Sequence, residues 1–488
     1  MGSRPHYPEK ISPVVEENIH MIQKIVGTGI DTVVREFVLG NGQRAAIFYF
    51  DGLIDKNLLG EDVFGPLKKY QGEPLTAEAT VQQILRIGGC QVTSDFAQVF
   101  EMALQGLTIL FLEGETAAVS IEIVSWSQRA INEPATDVVI RGPREGFIET
   151  LRVNVSLLRR KIHHPDFRTE TVRLGRYSQT DVCLVYVESI VNRGVLEQVR
   201  ARLNKIDVDA ILDSGQVEQL IQGRTKSVFP TVNIAEKPDI AAARILEGRV
   251  AILVDGSPLA LTVPMLFAEG LNSPGDYYIK FQYATWIRVI RYLAFLVALY
   301  LPGFYLALTG YHQHVLPFRL LSSLVDAEAE TPFSSGVSVL LIWLSYEILR
   351  EAGIRLPKPA GQAISIVGAI IMGDAAVNAG LISAPVLIVL AATVVASFVS
   401  SAYVDGTALL RLAFLLLGWI WGFLGLLLGT VVLVTWLCSL ESFGIPYFAP
   451  FAPVEPNGLR DSAVRAPISK LKFRPSVLSR NHRRMGGV

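Results

Sequence analysis

From Thr407 to Leu440 the chain runs 34 residues with one charge, Arg411. As a single helix at 1.5 Å per residue this run would measure about 51 Å, well beyond the ~30 Å hydrocarbon core of a bilayer. A tilted helix with an extension, or two shorter helices, would accommodate it, and Gly418, Gly422, Gly425 and Gly429 give surfaces for close helix packing. The run closes an apolar region that begins at Ile287, whereas residues up to about 285 mix charged, turn and apolar residues throughout. The mean hydropathy of +0.38 therefore averages two unlike halves. The expected architecture is an α/β soluble half followed by an α-helical membrane domain, a multi-span helical bundle.

Ile287 to Gly310 is long enough to span, with Arg288 and Arg291 anchoring a cytoplasmic entry and Pro302-Gly303 implying a kink or a partner helix. The loop that follows sets Arg319 against Asp326, Glu328 and Glu330 and reads as external. SGVSVLLIWLSYEILREAG then ends in Glu347, Arg350 and Glu351, either slanting through the bilayer or lying in its interface. Arg350, Arg355 and Lys358 favour a cytoplasmic end for it. Gly361 to Ser383 and Ala384 to Ala402 form the next apolar pair. The basic tail after Pro453 and an N-terminus without an apolar h-region place both termini in the cytoplasm, so the spans are even in number, four or six.

Polar residues inside these spans are the sharpest functional signal. Asp374 and Asn378 are i, i+4 on one helix face, with Gln362 and Ser365 placed near it. A membrane carboxylate usually faces a water-filled path or a buried partner. These four are candidate pore-lining residues; the alternative is a structural Asp374 paired with Arg411.

The soluble half is duplicated. AIFYFDGLIDKNLL from Ala46 aligns without gaps with CLVYVESIVNRGVL from Cys183, at an offset of 137. GLTILFLEGETAAVSIEI from Gly106 matches GRVAILVDGSPLALTV from Gly248, each a strand, a turn at Gly114 or Gly256, and a returning strand. A helix ending in glycine precedes each hairpin. The order predicts two tandem thioredoxin-like α/β subdomains. The division is an N-terminal tail at 1–28, subdomains at 29–135 and 169–284 around a connecting turn and helix at 136–168, a transmembrane domain at 285–454 and a basic cytoplasmic tail at 455–488.

Catalytic signatures are missing: the sequence holds no Walker loop, G-x-S-x-G, H-E-x-x-H or complete G-x-G-x-x-G. Three dispersed cysteines and the pairs His163-His164 and His312/His314 give no metal-site pattern. No enzyme activity, cofactor or metal is expected. A net charge of −1 with pI near 6.7 offers no basic face for nucleic acid. Arg141, Arg144 and Glu145 in RGPREG read as a salt-bridged interdomain turn or an anion grip at the next helix N-terminus.

Six blocks between Asp31 and Pro453, in the order YFDGLID, RGPREGF, RVAILVDGSPLALTVP, EILREAGIRLP, SIVGAIIMGDAAVNAG and SFGIPYFAPFAP, resemble the A subunit of the GerA-type spore germinant receptors. The stage V sporulation AF-type protein is a close relative. The resemblance implies a multi-pass protein of the spore inner (cell) membrane acting with a multi-spanning, nutrient-binding B subunit and a lipoprotein C subunit. It further implies a homo-oligomer forming a germinant-gated cation channel; the alternative is a non-conducting scaffold docking the B subunit. Arg141, Arg144, Glu145, Glu347, Arg350, Glu351 and Arg355 fall in its blocks as candidate gating or interdomain residues. A common G-Q-A-A-V of the family stands here as Gly373-Asp374-Ala375-Ala376-Val377, with an added charge. The closing block, aromatics between prolines, reads as a stiff collar in the interfacial aromatic belt.

Overall fold

The computed structural model describes residues 10–27, 29–125, 142–222, 227–355, 373–399, 401–479 and 483–484. Ten strands build two five-stranded sheets. In the first, β1 (Thr32–Val38), β2 (Arg44–Phe50), β3 (Cys90–Thr93), β4 (Thr108–Leu112) and β5 (Ala118–Ile121) lie in the order β1-β2-β4-β5-β3. In the second, β6 (Phe167–Leu174), β7 (Thr180–Val187), β8 (Asn233–Ala235), β9 (Val250–Val254) and β10 (Ala260–Val263) lie in the order β6-β7-β9-β10-β8. The 137-residue offset lands equivalent residues in equivalent places: Ala46 sits between Glu36 and Phe111, Cys183 between Thr171 and Leu253. Gly114 and Gly256 take φ of +87° and +84° at the two hairpin turns, a region open to glycine at little cost.

The sheets depart from a thioredoxin-like one. Every hydrogen-bonded strand pair among the described residues is antiparallel. β3 and β4 run the same way, joined by α2 (Phe96–Leu104), but β5 inserts between them, so the crossover leaves no parallel neighbours. The second sheet repeats this with β8, β9 and β10.

Because β2, β4, β7 and β9 are central, they are apolar on both faces and need two covering layers. α1 (Val15–Val26) presents Val15, Ile19, Ile22 and Val26 at helical spacing and packs with α2 on one face of the first sheet. Residues read above as tail are therefore core. α3 (Leu151–Arg159), read as a connector, covers the second sheet in the same way with Leu151, Val155 and Leu158, beside α5 (Pro238–Ile245). α4 (Arg193–Leu203) covers its other face. The subdomains are joined by a buried pair, Arg159 Nη2 to Asp31 Oδ2 at 2.7 Å. Its guanidinium carbon lies 4.4 and 4.2 Å from the ring centroids of Phe50 and Phe167.

The C-terminal half is helical: α6 (Phe281–Tyr311), α7 (Phe318–Ala329), α8 (Ser335–Arg355), α9 (Ala384–Val399) and α10 (Val404–Ser439). α6 and α10 are long and apolar enough to cross a membrane by length and composition. α10 is not straight. At Gly422 the backbone takes φ +60° and ψ −142°, and the chain folds back into two antiparallel arms, 404–421 and 423–439. A Cβ on Gly425 would overlap Leu417 O, and one on Gly429 would lie 2.7 Å from Leu417 Cδ1. In one straight helix those residues would stand about 12 and 18 Å apart. The over-long apolar run is thus two arms of about 27 and 25 Å, each matched to a bilayer core. α6 lies against the hairpin: Gly303 and Gly418 meet backbone to backbone, and Tyr311 donates to Ile420 O at 2.6 Å near the tip.

The proline-rich collar corrects the reading of an interfacial aromatic belt. Tyr447 and Phe443 are buried, and Tyr447, Phe448, Tyr403, Phe295 and Phe229 surround Phe267 beneath the bundle. Ser442 Oγ donates to Thr231 O at 2.7 Å and Phe267 N to Tyr447 O at 2.9 Å. These rings find protein partners, so they dock the returning arm onto the second subdomain.

Candidate functional site: a charged junction at the base of the bundle

Where α6 leaves the α/β half, charges from four segments interlock. Arg288, fully buried, donates from Nε to Asp276 Oδ2 at 2.9 Å and from Nη1 to Asp461 O and Ser462 O at 2.8 and 3.1 Å. Arg291, about one helical turn further, grips both oxygens of Asp276 at 2.8 and 2.9 Å, the bidentate geometry a planar guanidinium favours. Asp276 is held in place by a capping box with Ser273 at a short helical turn, Pro274–Tyr277. Tyr277 donates to Asp461 Oδ2 at 2.8 Å. Arg484 then links Asp461, at 3.8 Å, to Glu247; Glu247 pairs with Arg249, and Arg249 with Glu269. One network thereby ties the second subdomain, the linker into the bundle, the first long helix and the C-terminal segment.

The C-terminal segment is integral here. Leu478 is fully buried, Asn192 Nδ2 donates to Val477 O at 3.1 Å, and Ser479 Oγ to Ile190 O at 2.9 Å. The arginines of the segment read as a basic cytoplasmic tail are in part engaged: Arg465 and Arg474 are buried and Arg484 is ion-paired. Arg288 and Arg291, read as anchoring a cytoplasmic entry, are both ion-paired to carboxylates of the junction. Beside the network lies a cavity of about 590 Å³ between α5, the linker and the C-terminal segment.

Burial opposes ionisation at Glu247, but Arg249 and Arg484 outweigh it and hold its carboxyl below the usual range. Burial, with Glu247 adding to it, raises Asp461. A lowered carboxylate contributes stability that is complete above its unfolded pKa, about 4.3, and lost as pH falls through its folded value. Asp461 acts in the opposite sense, its contribution being present in acid and lost as pH rises through its raised value. Glu247 therefore sets the acid limit. Hydrogen exchange across 474–479, corrected for intrinsic rate, should accelerate as pH falls below about 4, and Glu247→Gln should show fast exchange already at neutral pH. Slow exchange in that variant would refute the role given to Glu247.

The family model described as Bacillus/Clostridium GerA spore germination protein matches residues 20–477. The chain belongs to the GerA spore germination family. It is 39% identical over 481 residues to spore germination protein KA of Bacillus subtilis (strain 168), covering 97% of this chain and 88% of that one. It is 34% identical over 473 residues to spore germination protein GerLA of Bacillus cereus, covering 95% and 96%. The uncharacterized membrane protein YfkQ of Bacillus subtilis (strain 168) is 36% identical over 479 residues, covering 98% and 93%. A crystal structure of the N-terminal domain of the A subunit of the Bacillus megaterium spore germinant receptor GerK3 is 30% identical, with a TM-score of 0.42, and covers 54% of this chain and 99% of that one.

Among the residues singled out in the GerA blocks, Arg141, Gln362 and Ser365 lie outside the described residues. Arg144 is exposed. Glu145 pairs with Lys161 at 3.1 Å and Arg160 at 3.7 Å, a salt-bridged turn. The N-terminus of α3 is already taken by Asp255, whose Oδ1 accepts from Leu151 N at 3.0 Å, so an anion grip there is filled from within. Glu347 pairs with Arg350 at 2.8 Å and Glu351 with Arg355 at 2.6 Å, all along α8. Asp374 and Asn378 are exposed. Arg411, buried, donates to Ala298 O at 2.8 Å rather than to Asp374. Sequence reasoning missed Asp276, whose signal was the capping box Ser273-Pro-Gly-Asp276, and the carboxylates of the junction, which no local pattern announces.

Proposed function

We propose that this GerA-family chain is the A subunit of a nutrient germinant receptor in the spore inner membrane. It crosses the membrane six times and assembles in several copies around a germinant-gated cation path, alongside a multi-spanning B subunit and a lipoprotein C subunit. The crossing count is supported by where chain ends lie. α6 rises from the junction to the hairpin tip, and Gly336, opening α8, abuts Trp419 near that tip. Twenty-one residues of α8 return about 31 Å towards the junction. Gly380 stands at the tip end again, beside Glu330 O, and α9 descends to Tyr403 at the junction before the hairpin rises and returns. The even count puts both termini on one side, which we assign to the cytoplasm.

The observation that carries the conducting role is the pair Asp374 and Asn378, both exposed, with no ion pair to Asp374 among the described residues. A carboxylate facing hydrocarbon is costly, whereas repeated around an oligomer axis it forms a ring that attracts cations. Asp374→Asn should lower cation flux through the reconstituted receptor, or germination-linked ion release, severalfold at normal protein abundance. Unchanged flux at normal abundance would favour the scaffold reading, in which the chain only docks its partners.

A further inference from the structure

The first long helix carries a boundary mark at each end. Between Trp286 and Tyr311 the exposed side chains of α6 are Val289, Ile290, Leu293, Leu296 and Phe304, without one polar group. Trp286 is itself exposed, as is Tyr283 beside it, and at the far end so are Tyr311 and Trp421 next to the Gly422 turn. Trp and Tyr rings favour the boundary between hydrocarbon and water. From Trp286 to Tyr311 the helix advances about 37 Å at 1.5 Å per residue. That exceeds a ~30 Å hydrocarbon core and falls short of the ~40–45 Å of a bilayer with its headgroups. Both rings then lie at headgroup level.

α7 is pinned beside the Tyr311 end. Its Glu328 accepts from Tyr305 Oη at 3.4 Å and from Ser335 Oγ at 2.5 Å, and Leu324 packs against the cluster of Tyr305, Leu306, Ile382 and Val386. Tyr305 lies about 9 Å short of Tyr311 along α6. None of the twelve residues of α7 is buried. At about 100° per residue, Arg319, Ser322, Ser323 and Asp326 share one arc of roughly 100°. Phe318 and Val325 stand within about 20° of each other on the flank of that arc, and they are 82% and 50% exposed. The protein thus leaves two large apolar side chains uncovered at the depth where the aromatic rings of α6 and α10 mark a bilayer surface.

We propose that α7 lies in the plane of the membrane interface on the side opposite the α/β half, with Phe318 and Val325 dipped among lipid acyl chains and Arg319, Ser323 and Asp326 in the headgroup layer. Lipid is the occupant of this flank. One arginine against Asp326 and Glu328 gives the helix no net attraction for anionic lipid, so apolar immersion seats it and zwitterionic lipid suffices. The inference rests on the reading that α6 crosses the membrane. It adds that the connection to α8 does not project into water but is held at a fixed depth.

The test is collision accessibility, read by electron paramagnetic resonance, of the full chain in phosphatidylcholine vesicles. A nitroxide is placed on single cysteines after Cys90, Cys183 and Cys438 are replaced by alanine. Labels at Phe318→Cys and Val325→Cys should meet dissolved oxygen far more than a water-soluble nickel chelate, with a ratio at least fivefold above that at Ser323→Cys and Asp326→Cys. Two positions on each face keep the comparison available if one variant does not fold. Leu296→Cys, near the middle of α6, should share the high ratio. Chelate access at 318 and 325 with oxygen preference at 296 would leave the crossing standing and reject the in-plane helix. Protection of 318 and 325 from both reagents would mean that protein covers the flank, which equally overturns the proposal. Chelate access at 296 would reject the crossing, and the proposal with it.

Discussion

Asp276→Ala should uncouple the α/β half from the bundle and abolish receptor function. The substitution leaves Arg288 buried with only part of its bonding and removes both contacts of Arg291. Breaking a buried pair by removing one partner costs about 3–5 kcal/mol, because the stranded charge stays in a poor solvent. The loss should appear as a sharp fall in thermal stability of the detergent-solubilised chain and as reduced abundance in spores. Asp276→Asn should be milder, since an amide oxygen still accepts one guanidinium. The triple change Asp276→Leu, Arg288→Met and Arg291→Leu should recover part of the stability, because apolar groups of similar volume replace the buried charges. A stable, fully active Asp276→Ala variant would show that the network contributes nothing to the junction.

Gly418→Leu should prevent the bundle from forming. A Cβ at this position would overlap the carbonyl of Gly303, so the obstacle is backbone rather than a movable side chain. Overpacking a close contact usually costs about 1–3 kcal/mol, and here relief requires α6 to separate from the hairpin along its length. Gly310→Leu is the matched control, since a Cβ there meets nothing within 4 Å. Folded yield after detergent extraction should collapse for the first and hold for the second. Equal yields would mean that the approach of Gly303 and Gly418 is not needed for the fold.

Much of the α/β half could be read in advance because its information is local. A gapless offset, helix-ending glycines and two hairpin glycines mark equivalent strands without reference to anything distant. The pairing of those strands was not legible, because inserting β5 between β3 and β4 changes which strands are neighbours while leaving their order in the sequence untouched. The membrane half shows the same limit. Arginines at the foot of an apolar helix look alike whether they meet phosphate headgroups or a carboxylate 173 residues away, as Arg288 meets Asp461. Aromatics beside prolines look alike whether they face an interface or pack on Phe267. The fold-back at Gly422 was open as one of two alternatives, since length alone excludes a straight span but does not select the turn. The pairing of Asp374 with Arg411 was likewise open, and the carbonyl of Ala298 takes that guanidinium instead.

Both feet of the α10 hairpin end on one aromatic knot. Tyr403, where the rising arm begins, stacks on Phe267 at 5.3 Å and 12°, and Tyr447, just past the descending arm, meets the same ring edge-on at 6.2 Å. Pinned at a shared pivot, the arms cannot slide past one another. A displacement of the second subdomain would therefore be carried into the bundle as a rocking of the whole hairpin, a lever whose fulcrum is Phe267 and whose free end is Gly422. The greatest excursion would then fall at the end of the bundle opposite the α/β half, where Tyr311 and Ile420 meet.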